Sequence, residues 1–345
     1  MAKPHLDTSE WSSPAHRGEP AAGRGMPPLL ALLASGDALG GPELALRLGI
    51  SRAAVWKQVE AWRQAGLDIE SGSAGYRLVR PLEPLDALRI RAALPLAMQR
   101  RVGAIENHWR LDSTSSELAR RAADLPDSSF VFADWQQAGR GRRGRQWFSA
   151  PAANLQFSCL KRFAGGYAAL SGLSLVAGIA AARALADCGV PGIGLKWPND
   201  LVHADAKLGG ILVELGGEFM GPCHAIIGIG VNVHLSGALR ARLDRPCADV
   251  AAVCGGAAPS RTALATALVT RLVEALERFD AAGFAGFADA WAERDALAGR
   301  RIHVEGARGT FDGTAQGVDA RGALKVRVAG ELRSVDSAEV TVRPA

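Results

Sequence analysis

Gly139-Arg140-Gly141-Arg142-Arg143-Gly144-Arg145, continuing into Gln146-Trp147-Phe148-Ser149, packs four guanidiniums and three glycines into seven residues. Glycine lets a backbone come close to a ligand and adopt positive φ. Arginine supplies a planar, permanently charged fork that matches phosphate and carboxylate oxygens two at a time. The same composition also suits a solvated nucleic-acid tether. The flanks favour an anion clamp set in a sheet. A β-like run, Ser129-Phe130-Val131-Phe132-Ala133, leads in, and a second, Asn154-Leu155-Gln156-Phe157-Ser158-Cys159-Leu160, leads out.

Working outward, the next unusual segment breaks a strand, Ile193-Gly194-Leu195-Lys196, at Trp197-Pro198-Asn199-Asp200. Lys207 follows after a short hairpin, entering Gly209-Gly210-Ile211-Leu212-Val213-Glu214-Leu215. The chain has only six lysines, at 3, 57, 161, 196, 207 and 325, and two of them stand in this segment. A further strand is expected over Ala225–Val233. Its Gly228-Ile229-Gly230 is no dinucleotide fingerprint, because no helix opens on a third glycine. Upstream, Asp112-Ser113-Thr114-Ser115-Ser116-Glu117 has capping-box spacing from Thr114 to Glu117, ahead of a helix over Leu118–Ala123. Hydroxyls at a helix N-terminus also suit a ligand's polar atoms.

The N-terminal third reads differently. Residues 1–26 hold Pro, Ser, Gly and mixed charge without an apolar period, a composition expected to be disordered, and Met26 is a candidate start. Residues 27–82 are expected to form a winged helix-turn-helix. Leu29, Leu30, Leu32 and Leu33 mark one helix, and Pro42 opens a second. After Gly49-Ile50, Ser51 caps a third from Arg52 to about Ala65, with Val55, Val59 and Trp62 on one face. Asp68–Glu70 and Tyr76–Val79 are expected to pair as the wing. Ser51, Arg52, Lys57 and Gln58 are the candidate DNA-contacting residues, and Arg63 is also expected to be free to face a major groove; a helical module used for packing alone is the alternative.

Residues 83–298 are expected to form the central domain, with a helix over Ala87–Leu96, a strand over Val102–Trp109, a buried small-residue helix over Leu170–Leu185, an irregular, mobile stretch over 235–258, and an amphipathic helix over Thr262–Ala281. Residues 299–345 read as short strands (Arg301–Val304, Gly309–Gln316, Ala323–Val328, Glu339–Val342) of a small SH3-like β-barrel. The fold class is therefore α/β (α+β): a mixed central sheet between a winged helix and a barrel.

The totals agree with a multidomain globular chain of 345 residues, 48% hydrophobic and 22% charged, with net charge +5. There is no apolar run of 18 residues, and the start lacks the pattern of a signal peptide. Five cysteines (159, 188, 223, 247, 254) without C-x-x-C spacing are expected to be reduced, in a cytoplasmic protein with no membrane role. No Cys/His cluster has metal-ligand spacing, so no protein-bound metal is expected. No Walker loop or nucleophile elbow occurs. Cations with neutral donors but no P-loop point to nucleotidyl transfer, in which a carboxylate attacks an α-phosphate.

Together, Gln136-Gln137-Ala138-Gly139 through Ser149, Lys196-Trp197-Pro198-Asn199-Asp200-Leu201, and Lys207 through Glu214 resemble the linked signatures of bacterial biotin protein ligases. From about residue 28 onward the domain order is similar to the bifunctional class, in which the ligase doubles as the biotin operon repressor. The resemblance implies activation of biotin by ATP and Mg²⁺ as biotinyl-5′-AMP, then transfer to a lysine of the biotin carboxyl carrier protein of acetyl-CoA carboxylase. It also implies operator DNA as a partner and a homodimer formed through a sheet edge. Residue by residue, it implies biotin contacts from Ser113, Thr114, Gln136, Gly139, Arg140, Arg142 and Lys207, and nucleotide contacts from Arg142, Arg143, Arg145, Trp147, Lys196, Asn199 and Asn232. Lys207, Arg142 and Asp200 take the catalytic roles, with Asp200 near the acceptor lysine or phosphate-bound Mg²⁺. The chain departs from the family at Ser115, where asparagine is common, and at Trp135, where tyrosine is usual. The rival readings are a lipoate or octanoate ligase of the same architecture and a non-catalytic biotin-sensing repressor.

Overall fold

The computed structural model describes residues 25–306, 309–336 and 341–344. The N-terminal module holds α1 (Pro28–Leu33), α2 (Gly41–Leu48) and α3 (Arg52–Gln64), then the hairpin β1 (Ile69–Gly72) and β2 (Gly75–Leu78). Gly49 ends α2 in the left-handed conformation (φ 65°), its N–H bonding to carbonyls of that helix. That sharp stop lets Ser51 cap α3, its Oγ accepting from Ala54 N at 3.1 Å. Leu29, Leu30, Leu33, Leu44, Val55 and Val59 form the core of the module, and Trp109 and Ala152 of the central module complete it.

The linker Pro81–Asp86 leads to α4 (Ala87–Ala93) and α5 (Leu96–Gln99). The one helix expected here is two, because Leu94, standing before Pro95, is extended (ψ 143°). Then come β3 (Ile105–Leu111), α6 (Thr114–Arg121), β4 (Ser129–Gln136), β5 (Leu155–Phe163), α7 (Leu173–Asp187), β6 (Gly194–Lys196), β7 (Asp200–His203), β8 (Ala206–Gly217) and β9 (Cys223–Val231). These strands build a seven-stranded sheet in the order β3-β4-β5-β9-β8-β7-β6. Only the β3–β4 pair is parallel, so the sheet is mixed, as expected.

The stretch expected to be irregular and mobile instead carries two short helices, α8 (Gly237–Arg242) and α9 (Val250–Val253), capped by Ser236 and Asp249. Those cap signals lack an apolar period beside them, which is why periodicity passes over them. Helix α10 (Arg261–Ala282) packs with α7 on one face of the sheet. Helix α6 covers part of the other face with Leu118, against Val131, Leu160 and Ile226. Helix α11 (Ala288–Ala292), absent from the sequence reading, leads into the C-terminal module.

That module is a five-stranded antiparallel sheet of the SH3-like kind: β10 (Arg301–Gly306), β11 (Gly309–Val318), β12 (Leu324–Val328), β13 (Glu331–Val335) and β14 (Thr341–Pro344). Its order is β13-β12-β11-β10-β14. Strand β13 was missed because four of its five side chains are exposed. The last strand is described from Thr341; its expected start at Glu339 lies outside the described residues, as does the N-terminal extension through residue 24. Ser171 Oγ donates to Arg321 O (2.7 Å) and the Trp197 indole N–H to Gly322 O (3.0 Å), so this module is moored beside the break after β6.

Candidate active site

Side chains alternate across each strand. On β5, Phe157 and Cys159 point into the core under α7 and α10, while Gln156 and Ser158 point to the α6 face. Opposite them on β9 stand Gly230 and Gly228, which pair in register with Gln156 and Ser158. Their missing side chains open a cleft of about 1000 Å³. A Cβ on Gly230 would come within 2.6 Å of the Trp147 ring, and one on Gly228 within 2.8 Å of Ser115 Oγ.

One end of the cleft is neutral. Ser113 is the N-cap residue of α6, in extended conformation, and makes no side-chain cap. The expected capping box does not form. Gln136 reaches across from β4 instead, its Oε1 accepting from Thr114 N (2.7 Å) and Thr114 Oγ1 (3.1 Å). Glu117 turns to Arg120 (2.6 Å) and Arg121 (3.3 Å), whose charges outcompete an N–H for it. Ser158 Oγ joins Thr114 Oγ1 (2.8 Å) and Ser115 Oγ (2.9 Å), so Ser115 belongs to this network. Nothing in the sequence marks Gln156 as a lining residue or Ser158 as the partner of Thr114 and Ser115, because the strand period gives facing but not neighbours.

The other end is cationic. Lys207, at the start of β8, pairs with Asp200 of β7 (Nζ to Oδ1, 2.5 Å) and lies 6.0 Å from the Trp147 ring centroid. Burial pushes the Lys196 ammonium below its ordinary pKa, with Asp200 opposing and Lys207 reinforcing that shift. The Arg142 guanidinium is also partly stripped of water by burial, which depresses its pKa, and Asp200 partly offsets this. Arg142 Nη1 reaches Asn199 Oδ1 at 3.5 Å, and the Asn199 amide donates to Ile211 O (2.8 Å). Asn232 uses its amide donor on Lys207 O (3.3 Å) and Ala248 O (3.1 Å), which fixes the end of β9.

The arginine loop is a short hairpin rather than an open tether. Gly141 N–H bonds Arg145 O (2.7 Å), Trp147 N–H bonds Gly139 O (2.8 Å), and a single helical turn spans Arg142–Gly144. The close pass of Gly139 under Trp147 leaves no room for a side chain, since a Cβ would lie 2.5 Å from Trp147 O. Arg143 adopts positive φ (58°), a conformation uncommon outside glycine. Arg143 and Arg145 are exposed. Arg140 turns to Glu214 of β8 (2.6 Å) at the mouth. From the C-terminal module, Val342 and Arg343 also line the cleft, which sequence reading missed because β14 is remote in the chain. Ser51 and Arg52 at the start of α3 and Lys57 at its middle are exposed, with Gln58 half-buried, while Arg63 is not free for a groove, since it donates to Ile69 O (2.9 Å) and Ser71 Oγ (2.6 Å) of the wing. Among the described residues no His/Cys/Asp/Glu group has the arrangement of a metal site.

Residues 109–232 match the biotin/lipoate A/B protein ligase family, residues 298–343 the biotin protein ligase C-terminal domain, and residues 29–77 a helix-turn-helix domain. The chain is 36% identical over 321 residues to the bifunctional ligase/repressor BirA of Salmonella typhimurium, covering 92% of this chain and 97% of that one. The chain belongs to the bifunctional biotin ligase/repressor family. It is 35% identical over 237 residues to the biotin–[acetyl-CoA-carboxylase] ligase of Paracoccus denitrificans, covering 67% of this chain and 97% of that one. In fold it is similar to the biotin protein ligase of Aquifex aeolicus solved with biotin and ATP (TM-score 0.60, 24% identity, 70% of this chain and 99% of that one). In this bifunctional ligase/repressor the helix-turn-helix match precedes the ligase match along the chain.

Proposed function

We propose that the protein joins biotin to a carrier protein in two steps at this cleft. Biotin's carboxylate attacks the α-phosphorus of ATP; the new O–P bond forms as the bond to pyrophosphate breaks, leaving biotinyl-5′-AMP. A lysine amine of the biotin carboxyl carrier protein of acetyl-CoA carboxylase then attacks the acyl carbon, and AMP departs. The observation that carries this reading is the polarity of the cleft. A neutral hydroxyl–amide network (Thr114, Ser115, Gln136, Ser158), with Ser113 beside it, sits at one end, and Arg142, Lys196 and Lys207 sit at the other. The neutral end suits the ureido ring of biotin, and the cationic end the carboxylate and phosphates.

Bringing a carboxylate to a polyphosphate sets like charges together. Lys207 and Arg142, with Mg²⁺ arriving on the nucleotide, offset that repulsion. Lys196 and Asn199 flank the same end and are assigned to the nucleotide, with Trp147, Arg143, Arg145 and Asn232 at its margin. Asp200, paired with Lys207, would accept a proton from the incoming amine or meet the metal. Gly139 and Arg140 border the carboxylate, and Arg140 must leave Glu214 to touch it. The arginine loop covers the adenylate, which water would otherwise hydrolyse.

The N-terminal module is assigned to operator DNA, with Arg52 and Lys57 exposed on α3, the helix that would meet a major groove. A homodimer would supply the two-fold symmetry such an operator needs. The hairpin tip between β8 and β9, with Phe219 at 65% and Met220 at 79% exposure, offers an apolar patch for it. The five free cysteines suit a cytoplasmic setting, and no helix among the described residues is long and apolar enough to cross a membrane. Incubation with ATP, Mg²⁺, biotin and a biotin carboxyl carrier domain is expected to add one biotinyl mass to a single lysine; no adduct, or one made equally well from lipoate, rejects the assignment.

A further inference from the structure

The two polar side chains that β5 turns to the α6 face of the sheet are treated differently by the fold. Ser158 is bonded on two sides. Gln156 is only 1% exposed, and neither its Oε1 nor its Nε2 has a hydrogen-bond partner among the described residues. Leaving both halves of a carboxamide dry and unbonded works against folding, and buried polar groups are otherwise almost always bonded. The contrast with Asn232 is direct, since its amide donates to two carbonyls.

Beside Gln156, in the space above its ladder partner Gly230, lies the Trp147 indole, whose Nε1 is also buried and unpartnered among the described residues. Two orphan donor groups and one orphan acceptor therefore share one wall of the cleft. They lie two residues along the β5–β9 ladder from Ser158, between its Thr114–Gln136 network and the Lys207 side of the cleft. Charged phosphate oxygens would seek the Arg142–Lys207 end. A ligand at Gln156 must offer both a donor and an acceptor without net charge, as a urea does.

We propose that Gln156 is a substrate-binding, specificity-determining residue whose carboxamide, with the Trp147 indole N–H, hydrogen-bonds the ureido-bearing ring system of the acid substrate. This rests on biotin being that substrate and adds a residue to its recognition. A carboxylic acid with a purely apolar tail, such as octanoate, would leave these groups dry, and sites built to bond a polar group reject analogues lacking it far more strongly than apolar pockets reject size variants.

Gln156→Met keeps length and removes both polar atoms; Gln156→Glu keeps the shape and removes the donor. Adenylate formation is followed by pyrophosphate release with biotin or octanoate, alongside melting of the ligand-free proteins. For Gln156→Met the ligand-free melting temperature is expected to be unchanged or higher. The KM for biotin is expected to rise on the order of 10- to 100-fold with kcat and the KM for ATP nearly constant, and octanoate is expected to become a better competitor. Gln156→Glu is expected to share the biotin defect, which keeps the test open should the Met variant fold poorly. An unchanged biotin KM in folded Gln156→Met overturns the assignment, as does a rise confined to the KM for ATP. Wild-type protein that makes no adenylate from biotin would instead overturn the functional reading beneath it.

Discussion

The indole of Trp62, on α3 of the N-terminal module, meets the indole of Trp135, on β4 of the catalytic sheet, edge to face with ring centroids 5.7 Å apart. Trp135 immediately precedes Gln136, so the helix that carries the DNA-binding candidates rests on the strand that holds the neutral end of the cleft. Such pairs contribute roughly 0.5–1.5 kcal/mol beyond their buried area. A double-mutant cycle of Trp62→Leu and Trp135→Leu in urea denaturation is expected to show coupling of that size. Strict additivity would mean the two rings touch without stabilising the docking.

If Lys207 donates to the charge that develops at the phosphate, as proposed, Lys207→Ala should lower adenylate synthesis by about 10²–10³ while the fold persists. Near-normal pyrophosphate release would exclude that role. Arg142→Gly should loosen the loop over the intermediate and release free adenylate, detected as biotin on many lysines of bystander proteins; a variant that still labels only the carrier lysine would count against it.

Arg261 is buried at the start of α10, where its Nη1 pairs with Asp134 Oδ1 (2.6 Å), also buried, and its Nε and Nη2 donate to Asn154 O. Glu83 of the linker accepts from Arg261 N (2.8 Å) and Thr262 N (3.1 Å), so linker, strand and helix meet at one guanidinium. Arg261→Met should destabilise the protein by about 3–5 kcal/mol, because Asp134 is left as an unpaired buried charge. A loss below about 1 kcal/mol in denaturation would show that the site rehydrates instead.

Burial pushes the His234 imidazole down to about 4; Arg80 and Arg261 act in the same direction, while Asp249 and Glu83 oppose. In the unfolded chain its pKa is about 6.5. Between those values the unfolded state binds the extra proton, so the stability due to neutral His234 is complete above about pH 6.5 and is lost as pH falls toward 4. The loss should be on the order of 1–3 kcal/mol, reduced by the partial exposure of the ring. His234→Gln should flatten the melting temperature between pH 7 and pH 4.5; a profile as steep as that of the wild type would place the acid sensitivity elsewhere.

Arg52→Ala and Lys57→Ala should each weaken DNA binding and reduce the salt dependence of log K against log[salt] by about one per lost phosphate contact. Ligase activity should be untouched, since both side chains are exposed on α3, outside the cleft. An unaltered salt slope in both variants would remove α3 from the DNA contact.

Much of the fold was legible because its signals are local. The apolar period of Val55 and Val59, the small-residue run that became α7, and the alternation that became β5 and β9 each depend on residues within a few positions. Less legible were α8 and α9, which lack an amphipathic stripe, and β13, which is nearly all exposed. At the site, Lys196, Lys207 and the arginine loop stand out by residue type alone. Gln156, Ser158 and Arg343 do not, since glutamine or serine in a strand and arginine near a terminus are ordinary until their neighbours are known.

By itself the sequence determined that this chain carries a helix-turn-helix, a clamp of glycine and arginine, and a lysine-bearing strand break, because steric freedom and charge are properties of the residues themselves. Only the tertiary structure decided who meets whom. Gln136, not Glu117, satisfies the start of α6; Arg140 faces Glu214; and Gln156 stands unbonded over a glycine floor. The reason is physical: partners are chosen by the register of β5 against β9 and of β9 against β8, and register is a competition among long-range contacts that no local pattern encodes.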